Sequence, residues 1–366
     1  MILSNISSSF EATSLIFIHV LFIVFRCAMK VKMMKKFVDN FVHRPGVHCE
    51  SSALRDILDF NGFPFSESMI FGLGGGLGFI YWRGEPMPYP FVGGRAKDFD
   101  KTLCANLGVA TKVNKTSSKT RAYKALKELI AKDVPVMVHV DMPFLKYLSM
   151  PEEAHFGAHV VVVAGIDEDE DVVYIADTQF EKLQTATLEE LEHARASKFK
   201  PFPPENKWFT FEFPSKLTTL EKAIKEGISK TITTMLEPPI QNLGIRGIRH
   251  FADEIGEWPK EYPPERPLFT QLYEVTYVML EKDGTGGGCF RNLYSRFLRE
   301  AGEYLSTRKL TDLGERYNRI GEKWTKVAYQ IRGIPINEGN VVEIKKNLSE
   351  IADDEEKVLL NLKTLL

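Results

Sequence analysis

The stretch His43-Arg-Pro-Gly-Val-His-Cys-Glu-Ser-Ser-Ala-Leu-Arg-Asp-Ile-Leu-Asp-Phe60 places a cysteine directly after a turn and at the start of a helix. The Pro-Gly pair predicts the turn, and the apolar residues that follow at helical spacing predict a helix from Cys49 to Phe60. A helix start offers unpaired N–H groups and the positive end of the helix dipole, and both favour a thiolate over a thiol. A lone cysteine is more often a small buried residue, so the role of Cys49 as a nucleophile depends on its partners.

Two candidate partners follow far downstream. His159 begins a run of four valines, and Asp177 ends the next apolar run; the polar stretch Ile-Asp-Glu-Asp-Glu-Asp between the runs predicts a β-hairpin. If Gly165 pairs with Asp171, His159 faces Asp177, and opposed side chains in such a pair lie close enough for an imidazole–carboxylate hydrogen bond. This register is an assumption, because a slip by one residue would move one partner to the other face. Without His159 opposite it, Asp177 would simply cap the turn that follows.

Cys49, His159 and Asp177 supply a nucleophile, a base and a group that orients the base, the minimum set for acyl transfer through a covalent intermediate. They occur in the order Cys, His, Asp, which is the order in papain-like enzymes. Between the first two, the spacing predicts a helix at 121–132 and a strand at 134–140. A helix first and a sheet afterwards predict an α+β fold rather than a doubly wound α/β fold.

Composition and charge are those of an ordinary globular protein. The chain has 366 residues, of which 44% are hydrophobic and 26% charged, and its net charge of −2 gives no electrostatic support for binding nucleic acid or an anionic membrane. Its four cysteines are widely spread with no C-x-x-C pair, so neither a zinc ribbon nor a disulfide scaffold is predicted. A reducing cytoplasm fits this cysteine usage best.

Residues 1–33 are treated as an extension that is not part of the fold. Within them, LIFIHVLFIVF at 15–25 is strongly apolar but much shorter than the roughly 20 residues that a membrane span needs. Basic residues follow this run and none precedes it, the reverse of a secretory signal peptide. We expect an extension from an upstream start codon, or as the less favoured alternative a weak membrane-associating tail. No membrane contact is expected for the folded part.

The remaining sequence predicts two domains. Residues 34–214 form the candidate catalytic domain, and WFTFEF at 208–213 alternates like a strand that completes its sheet. The proline-rich segment at 196–207 marks the boundary region. Residues 215–366 form a mainly helical domain. Six segments of it have helical spacing: 217–236, 245–255, 268–282, 290–305, 310–331 and 344–366.

Cys289 is the rival nucleophile, because Gly284-Thr-Gly-Gly-Gly-Cys289 also places a cysteine at a helix start. No histidine follows it, and a triad with the preceding His250 would be out of papain-like order, so we favour Cys49. The glycine turn would also suit an anion such as a pantetheine phosphate, although we favour a plain helix start. The helix that it opens carries three arginines: Arg291, Arg296 and Arg299.

A zinc site is the competing interpretation of the histidines near Cys49. His155 and His159 are four residues apart, and in a strand this spacing separates them by about 13 Å, too far to bind one ion. His43 and His48 could complete such a site only with a ligand spacing that is not standard for zinc. We therefore predict no metal.

The glycine-rich segment Phe71-Gly-Leu-Gly-Gly-Gly-Leu-Gly-Phe79 fits neither the dinucleotide motif nor the P-loop, which disfavours nucleotide binding. Its glycines let the backbone pass close to the catalytic helix or to an extended substrate arm. We therefore assign Gly74, Gly75 and Gly76, together with His48 beside the nucleophile, to substrate binding.

Several motifs together resemble the N-terminal domain of the butirosin biosynthesis protein H family. They are Gly46-Val-His-Cys-Glu-Ser-Ser-Ala-Leu54, the glycine-rich segment, Ala158-His-Val-Val-Val-Val-Ala-Gly165 and Val173-Tyr-Ile-Ala-Asp177. Gly284-Thr-Gly-Gly-Gly-Cys-Phe-Arg-Asn-Leu-Tyr294 is similar to the uncharacterised helical domain that follows it in that family. The resemblance covers most of the chain from about Lys35.

This resemblance implies a papain-like fold and transfer of an acyl group from a carrier-protein thioester to an amine of an aminoglycoside. Cys49 would be the acylated nucleophile, His159 the base and Asp177 its orienting group. The partners would be an acyl carrier protein, or another thioester donor, and a small amine acceptor. The enzyme would need no cofactor of its own, since any phosphopantetheine is carried by the donor.

One feature departs from papain-like proteases, in which a glutamine side chain commonly helps to bind the oxyanion. No glutamine precedes Cys49, so the Cys49 N–H and a neighbour would have to serve. Two alternatives to an acyltransferase stay open. One is a cysteine peptidase or amidase of the same fold, and the other is a non-catalytic binding module. The oligomeric state is not predicted.

Overall fold

A computed structural model of the chain describes residues 33–366, apart from Pro86, Pro88 and Pro267. The predicted N-terminal extension lies outside these residues, Met33 excepted, and so does Cys27. In the part of the chain that is described, no helix combines the length and the apolar character needed to cross a bilayer.

The strands form one large antiparallel sheet and a separate hairpin. In chain order they are β1 (Lys35–Phe37), β2 (Leu77–Trp82), β3 (Phe91–Arg95), β4 (Ala110–Asn114), β5 (Val136–Val140), β6 (His159–Asp167), β7 (Val172–Ala176), β8 (Gln184–Ala186) and β9 (Trp208–Glu212). The order in the 7-stranded sheet is β4-β9-β5-β6-β7-β8, with β1 paired to β6. Strands β2 and β3 form the hairpin.

The helices precede, cross and follow this sheet. They are α1 (Cys49–Phe60), α2 (Glu67–Leu73), α3 (Phe99–Leu107), α4 (Lys119–Ala131), α5 (Leu188–Ala196), α6 (Leu220–Leu236), α7 (Gly244–Glu254), α8 (Trp258–Glu261), α9 (Phe269–Glu281), α10 (Arg291–Tyr304), α11 (Arg308–Gly333) and α12 (Val341–Lys363). A helix packed on an antiparallel sheet, followed by a mainly helical region, confirms the predicted α+β class.

The predicted elements that carry the candidate site are present. Helix α1 has the predicted bounds, and the six predicted C-terminal helices appear as α6, α7, α9, α10, α11 and α12 within three residues at each end. Strand β9 pairs with β4 and β5, as predicted for the segment that completes the first sheet. Helix α2 is an addition, because no element is predicted from the sequence at its position. The predicted domain boundary at 214/215 stays a prediction.

Strand β6 is the centre of the N-terminal half. All of its residues are buried, because β1, β5 and β7 pair with it and both α1 and α4 pack against it. Because both faces of β6 are covered by other elements, its sequence is a continuous run of valines rather than an alternation of apolar and polar residues. The apolar side of α1, with Leu54, Ile57 and Leu58 at 3% exposure or less, belongs to this core.

The predicted hairpin register is wrong. Val163 pairs with Ile175 and Gly165 with Tyr174, because β6 contains a bulge between Val163 and Gly165 and runs on to Asp167. Next to the catalytic end the register is displaced by two residues from the prediction. Because side chains in a strand alternate with a period of two, this shift leaves His159 and Asp177 on the same face as diagonal neighbours.

Glycines let the helical half pack directly against the glycine-rich segment. A Cβ on Gly72 would lie 1.9 Å from the Phe297 ring, and one on Gly227 in α6 would lie 2.4 Å from the Gly72 carbonyl oxygen. On β3, a Cβ on Gly94 would lie 2.5 Å from the Cys289 sulfur. Distances below 3 Å leave no room for a side chain, so the two halves share one close-packed core.

A buried ion pair ties the helical half together. The Arg291 guanidinium donates to Glu355 from Nε (2.7 Å) and Nη2 (3.0 Å), and it also donates from Nη1 to the Gly78 carbonyl oxygen at 3.1 Å. The Trp324 indole donates to the same Glu355 carboxylate. Both charges are completely buried but fully paired, which is the condition under which buried charges are tolerated.

We predict that Gly227→Ala destabilises the protein, although alanine is the better helix former. The new methyl group would meet the Gly72 carbonyl oxygen, and overpacking of this kind costs about 1–3 kcal/mol. Urea denaturation measures the change in unfolding free energy. Glu226→Ala, at the exposed neighbouring position of the same helix, is the matched control and should change it by less than about 0.5 kcal/mol. Equal stability of both variants would contradict the close contact.

Candidate active site

His159 and Asp177 are hydrogen-bonded in the interior. His159 Nε2 lies 2.9 Å from Asp177 Oδ1 and 3.0 Å from Oδ2, and the Tyr147 hydroxyl donates to Oδ2 at 2.9 Å. His159 is the first residue of β6, and Asp177 follows the last residue of β7. Since Nε2 is bound to the carboxylate, Nδ1 is the ring nitrogen left to exchange a proton with a nucleophile.

Cys49 lies at the first position of α1 and is partly exposed. The preceding residue, His48, is the N-cap of the helix: its backbone is extended and its Nδ1 accepts a hydrogen bond from the Ser51 N–H. The thiol therefore sits where the helix dipole favours negative charge. Within the described residues, the backbone N–H groups of Cys49 and Glu50 have no hydrogen-bond acceptor, which leaves two donors beside the sulfur.

Cys49 contributes to the pKa of the His159 imidazole. Burial alone would lower the pKa of His159, but the Asp177 carboxylate and the Cys49 side chain outweigh burial and raise it to about 10. Burial likewise raises the pKa of Asp177, and the charged His159 reverses this effect and holds it below its ordinary value. The sulfur and the ring are not aligned in a regular hydrogen bond, a common situation in catalytic sites without substrate. The arrangement favours an imidazolium at His159, between the Asp177 carboxylate and the Cys49 sulfur.

The turn before Cys49 is bound to the chain that follows Asp177. The Gly46 N–H donates to the Thr178 carbonyl oxygen at 2.7 Å, and the hydroxyl groups of Ser52 and Thr178 are 2.8 Å apart. These contacts join the start of α1 to the end of β7. They fix the position of Cys49 relative to His159 and Asp177.

Glu67 holds the same turn from the other side. Its carboxylate accepts from the N–H groups of Val47 (3.0 Å) and His48 (2.8 Å) and from the Ser51 hydroxyl (2.9 Å). Charge-assisted hydrogen bonds are roughly twice as strong as neutral ones. Glu67 belongs to α2 and lies in no motif, so no sequence signal would have revealed its role.

A second buried histidine, His43, lies at the start of the turn that precedes Cys49 and joins it to α1 and to the chain after β7. His43 Nδ1 lies 2.6 Å from Asp56 Oδ2, while Nε2 donates to the carbonyl oxygens of Asp177 (3.2 Å) and Phe180 (2.9 Å). Burial lowers the pKa of His43, but the Asp56 carboxylate gives a net rise. Arg55 also pairs with Asp56. Both ring nitrogens of His43 are thus engaged within the protein.

The four residues assigned to substrate binding have packing roles instead. A Cβ on Gly74 would lie 2.4 Å from the Phe99 ring, and one on Gly76 would lie 2.6 Å from the Phe71 ring. Gly75 has a left-handed backbone and lies against the Lys230 side chain. All three are buried, and His48, at 5% exposure, caps α1 as described above. Their assignment to substrate binding is corrected, because their surroundings are filled by the protein.

Cys289, the rival nucleophile, is enclosed in the core. It is completely buried between Gly94 and Arg291, and burial raises the pKa of its thiol to about 12. Cys104 is also buried, and its pKa is raised to about 12 for the same reason. Of the three cysteines that the structure describes, Cys49 alone is open to solvent.

The second glycine turn, for which an anion site was the less favoured interpretation, is largely occupied by the protein. Glu281 accepts from the Gly288 N–H, and Thr285 accepts from the Gly287 N–H. Of the three arginines considered there, Arg291 is paired with Glu355 and Arg299 with Glu315, while Arg296 is exposed. As for metals, the described residues contain no cluster of three or more His, Cys, Asp or Glu side chains that would hold an ion.

We predict that iodoacetamide alkylates Cys49 in the folded protein at least about tenfold faster than Cys104 or Cys289. The reason is that Cys49 combines exposure with a charged imidazole. His159→Ala should slow the alkylation of Cys49 by a similar factor, whereas His193→Ala, at an exposed histidine in α5, should leave it unchanged. Peptide mass spectrometry measures each site. A Cys49 that reacts no faster than a free thiol would contradict the proposed pairing.

We also predict that Glu67→Ala lowers both stability and thiol reactivity. Loss of the carboxylate leaves the Val47 and His48 amides without their acceptor, at a cost of about 1–3 kcal/mol. Thermal unfolding measures the first effect and the alkylation rate of Cys49 the second. Glu152→Ala, at an exposed position, is the control for the charge change. An unchanged alkylation rate in a folded Glu67→Ala protein would show that Glu67 does not position the sulfur.

Comparison with protein families places both halves of the chain. Residues 48–178 match the family model described as butirosin biosynthesis protein H, N-terminal, and this range contains Cys49, His159 and Asp177. Residues 189–362 match a domain of unknown function (DUF4872). Comparison with curated proteins finds no match. The fold of the first half is papain-like, and its family indicates an enzyme. The chain carries an N-terminal domain of the butirosin biosynthesis protein H family, followed by a DUF4872 domain.

Proposed function

We propose that the protein is a cysteine acyltransferase that moves an acyl group from a thioester to an amine through an acyl-enzyme on Cys49. The observation that carries the proposal is the His159–Asp177 hydrogen bond beside a partly exposed cysteine at a helix start. The match of residues 48–178 to the N-terminal domain of the butirosin biosynthesis protein H family supports it.

In the first half-reaction, the Cys49 thiolate attacks the thioester carbonyl carbon. The N–H groups of Cys49 and Glu50, which have no acceptor among the described residues, are placed to bind the tetrahedral oxyanion. The new C–S bond to Cys49 forms, the C–S bond to the donor breaks, and the departing thiolate takes the proton from His159 Nδ1. His159 is then neutral and ready to act as a base.

In the second half-reaction, a neutral amine nitrogen attacks the acyl carbon on Cys49. His159 accepts a proton from the nitrogen as the C–N bond forms, and the C–S bond to Cys49 breaks. Asp177 stabilises the imidazolium that results. The products are the amide and the original pair of thiolate and imidazolium, so the cycle closes without an external cofactor.

The donor in this proposal is an acyl thioester of phosphopantetheine on a carrier protein, and the acceptor is a small amine. A thiolate on an exposed helix start suits a thioester, because thioester exchange has a thiol as leaving group and needs no strong acid. A peptidase or amidase would form the same acyl-enzyme and resolve it with water. A binding module would form none.

The test incubates the protein with a series of acyl-pantetheines and detects the acyl adduct by intact mass. Wild type and Cys289→Ala are expected to gain the acyl mass, whereas Cys49→Ala is expected to gain none. Addition of an amine should release the adduct as an amide, at least about tenfold faster than water releases it as an acid. Hydrolysis that amines do not accelerate would favour the amidase. An adduct that survives in Cys49→Ala would overturn the assignment.

A further inference from the structure

The connection between β5 and β6, residues 141–158, leaves the sheet and returns to it beside His159. Val140, the last residue of β5, pairs with His159, the first residue of β6. Between them the chain forms two short 3-10 turns, Met142–Phe144 and Lys146–Leu148. Such a connection is much longer than the loops that usually join antiparallel neighbours, and loops of this length in a compact domain commonly serve function.

Asp141 closes the base of this connection. Its fully buried carboxylate accepts from the Phe156 N–H at 2.9 Å and from the Ser197 hydroxyl at 2.6 Å. The same carboxylate lies 2.9 Å from His155 Nδ1, and the His155 ring stacks on the Phe199 ring with centroids 3.4 Å apart. One carboxylate therefore holds the two ends of the connection together.

Tyr147, in the second turn of the connection, is bound to Asp177. Its hydroxyl donates to Asp177 Oδ2 at 2.9 Å, and its ring packs edge-on against the Phe180 ring with centroids 5.6 Å apart. Leu145, two residues earlier, is completely buried and anchors the turn. Burial and the Asp177 charge raise the pKa of the Tyr147 hydroxyl, so it stays protonated and donates to the carboxylate.

The Tyr147 hydroxyl removes a freedom that the imidazole alone would leave to the Asp177 carboxylate. His159 Nε2 is almost equally far from the two oxygens, 2.9 Å from Oδ1 and 3.0 Å from Oδ2. This contact by itself does not fix the rotation of the carboxylate, which is soft about the Cβ–Cγ bond. A second donor on Oδ2 fixes it, and a hydrogen bond from a hydroxyl to a carboxylate is roughly twice as strong as a neutral one.

The groups that face the Asp177 carboxylate come from three elements. Among the described residues, the side chains that hydrogen-bond it are those of His159 and Tyr147, whereas His43 contacts the backbone carbonyl of Asp177. Burial raises the pKa of Asp177, and the charged His159 is the main cause that reverses this rise. The Tyr147 hydroxyl and the Thr178 N–H add to the reversal.

We propose that the connection 141–158 is a positioning arm of the active site, in which Tyr147 fixes the Asp177 carboxylate and Asp141 fixes the arm. Both are positioning residues. Tyr147 acts through Asp177 and His159 on the Cys49 sulfur, and Asp141 acts through Tyr147. The inference deepens the proposed function, because it names what holds the orienting group of the base, and it is the same whether an amine or water resolves the acyl-enzyme.

The experiment is a double-mutant cycle that is measured by the rate at which iodoacetamide alkylates Cys49. Tyr147→Phe removes the hydroxyl and keeps the ring against Phe180. We expect it to slow alkylation roughly fivefold at neutral pH, because the imidazole loses its fixed partner. In the Asp177→Ala background the same substitution should change the rate by less than about twofold, because no carboxylate is left for Tyr147 to fix.

The pH profile of the alkylation supplies a second measurement, which a merely structural role of Tyr147 would not move. The pKa of Asp177 lies below its ordinary value in the folded protein, and loss of one donor raises it. The decline of the Cys49 alkylation rate on acidification should therefore begin at a higher pH in Tyr147→Phe than in wild type. Tyr304→Phe, at an exposed tyrosine in α10, is the matched control and should leave both the rate and its pH dependence unchanged.

Asp141→Asn tests the base of the arm. It should slow alkylation of Cys49 in the otherwise unchanged protein and add little in Tyr147→Phe, because both substitutions act through the same hydroxyl. Circular dichroism checks that each variant is folded. Equal effects of Tyr147→Phe with and without the Asp177 carboxylate would overturn the proposal, as would an unchanged rate in Tyr147→Phe itself. Iodoacetamide needs no acyl donor, so absence of an acyl adduct in wild type would refute the acyltransferase function and leave this result standing.

Discussion

The position of the Cys49 sulfur depends on a turn whose polar groups are bound by charged side chains. The Glu67 carboxylate binds two amides of this turn, and Arg55, itself paired with Asp56, donates to the Pro45 carbonyl oxygen. A hydrogen bond to a charged group contributes about 1.5–3 kcal/mol where it is shielded from water and less where it is exposed. Because every contact comes from a different element, the helix can begin at one residue only, and the thiol is presented in one place.

Two buried histidine–aspartate pairs lie beside α1, and they differ in how many ring nitrogens of the histidine are engaged by the protein. His43 has one ring nitrogen on Asp56 and the other on two carbonyl oxygens, so it has no nitrogen left for a substrate. His159 uses only Nε2 for Asp177 and keeps Nδ1 for Cys49. The number of ring nitrogens that the protein occupies, rather than burial or the presence of a carboxylate, distinguishes the structural histidine from the proposed catalytic one.

The sequence predicted the helices and strands better than the contacts between them. Helix α1, the strands that carry His159 and Asp177, and the α+β class all follow from local periodicity, which is strong in long buried segments. The strand register does not, because a bulge near Ala164 depends on packing against β1 and β7. The diagonal contact still forms, since a displacement of two residues preserves the face.

Sequence patterns could not predict the residues that contact the site across long sequence separations. Glu67 and Tyr147 meet the site through tertiary packing, and neither has a motif around it. The glycines of 72–78 were recognised as places of close approach, but the approaching partner was misjudged. Their neighbours are Phe71, Phe99 and the helices of the other half. A glycine in the sequence indicates that another segment comes close, but it does not indicate which segment.

The close approach of Gly72 to Gly227 and Phe297 has an evolutionary consequence. If the two halves were separated, each would expose the flat apolar surface that the other now covers. Exposed apolar surfaces of this kind promote aggregation. A gene that lost its second half would therefore encode an aggregating remnant rather than a smaller enzyme. The two domains are therefore inherited together, and a substitution at the contact in one domain requires a matching substitution in the other.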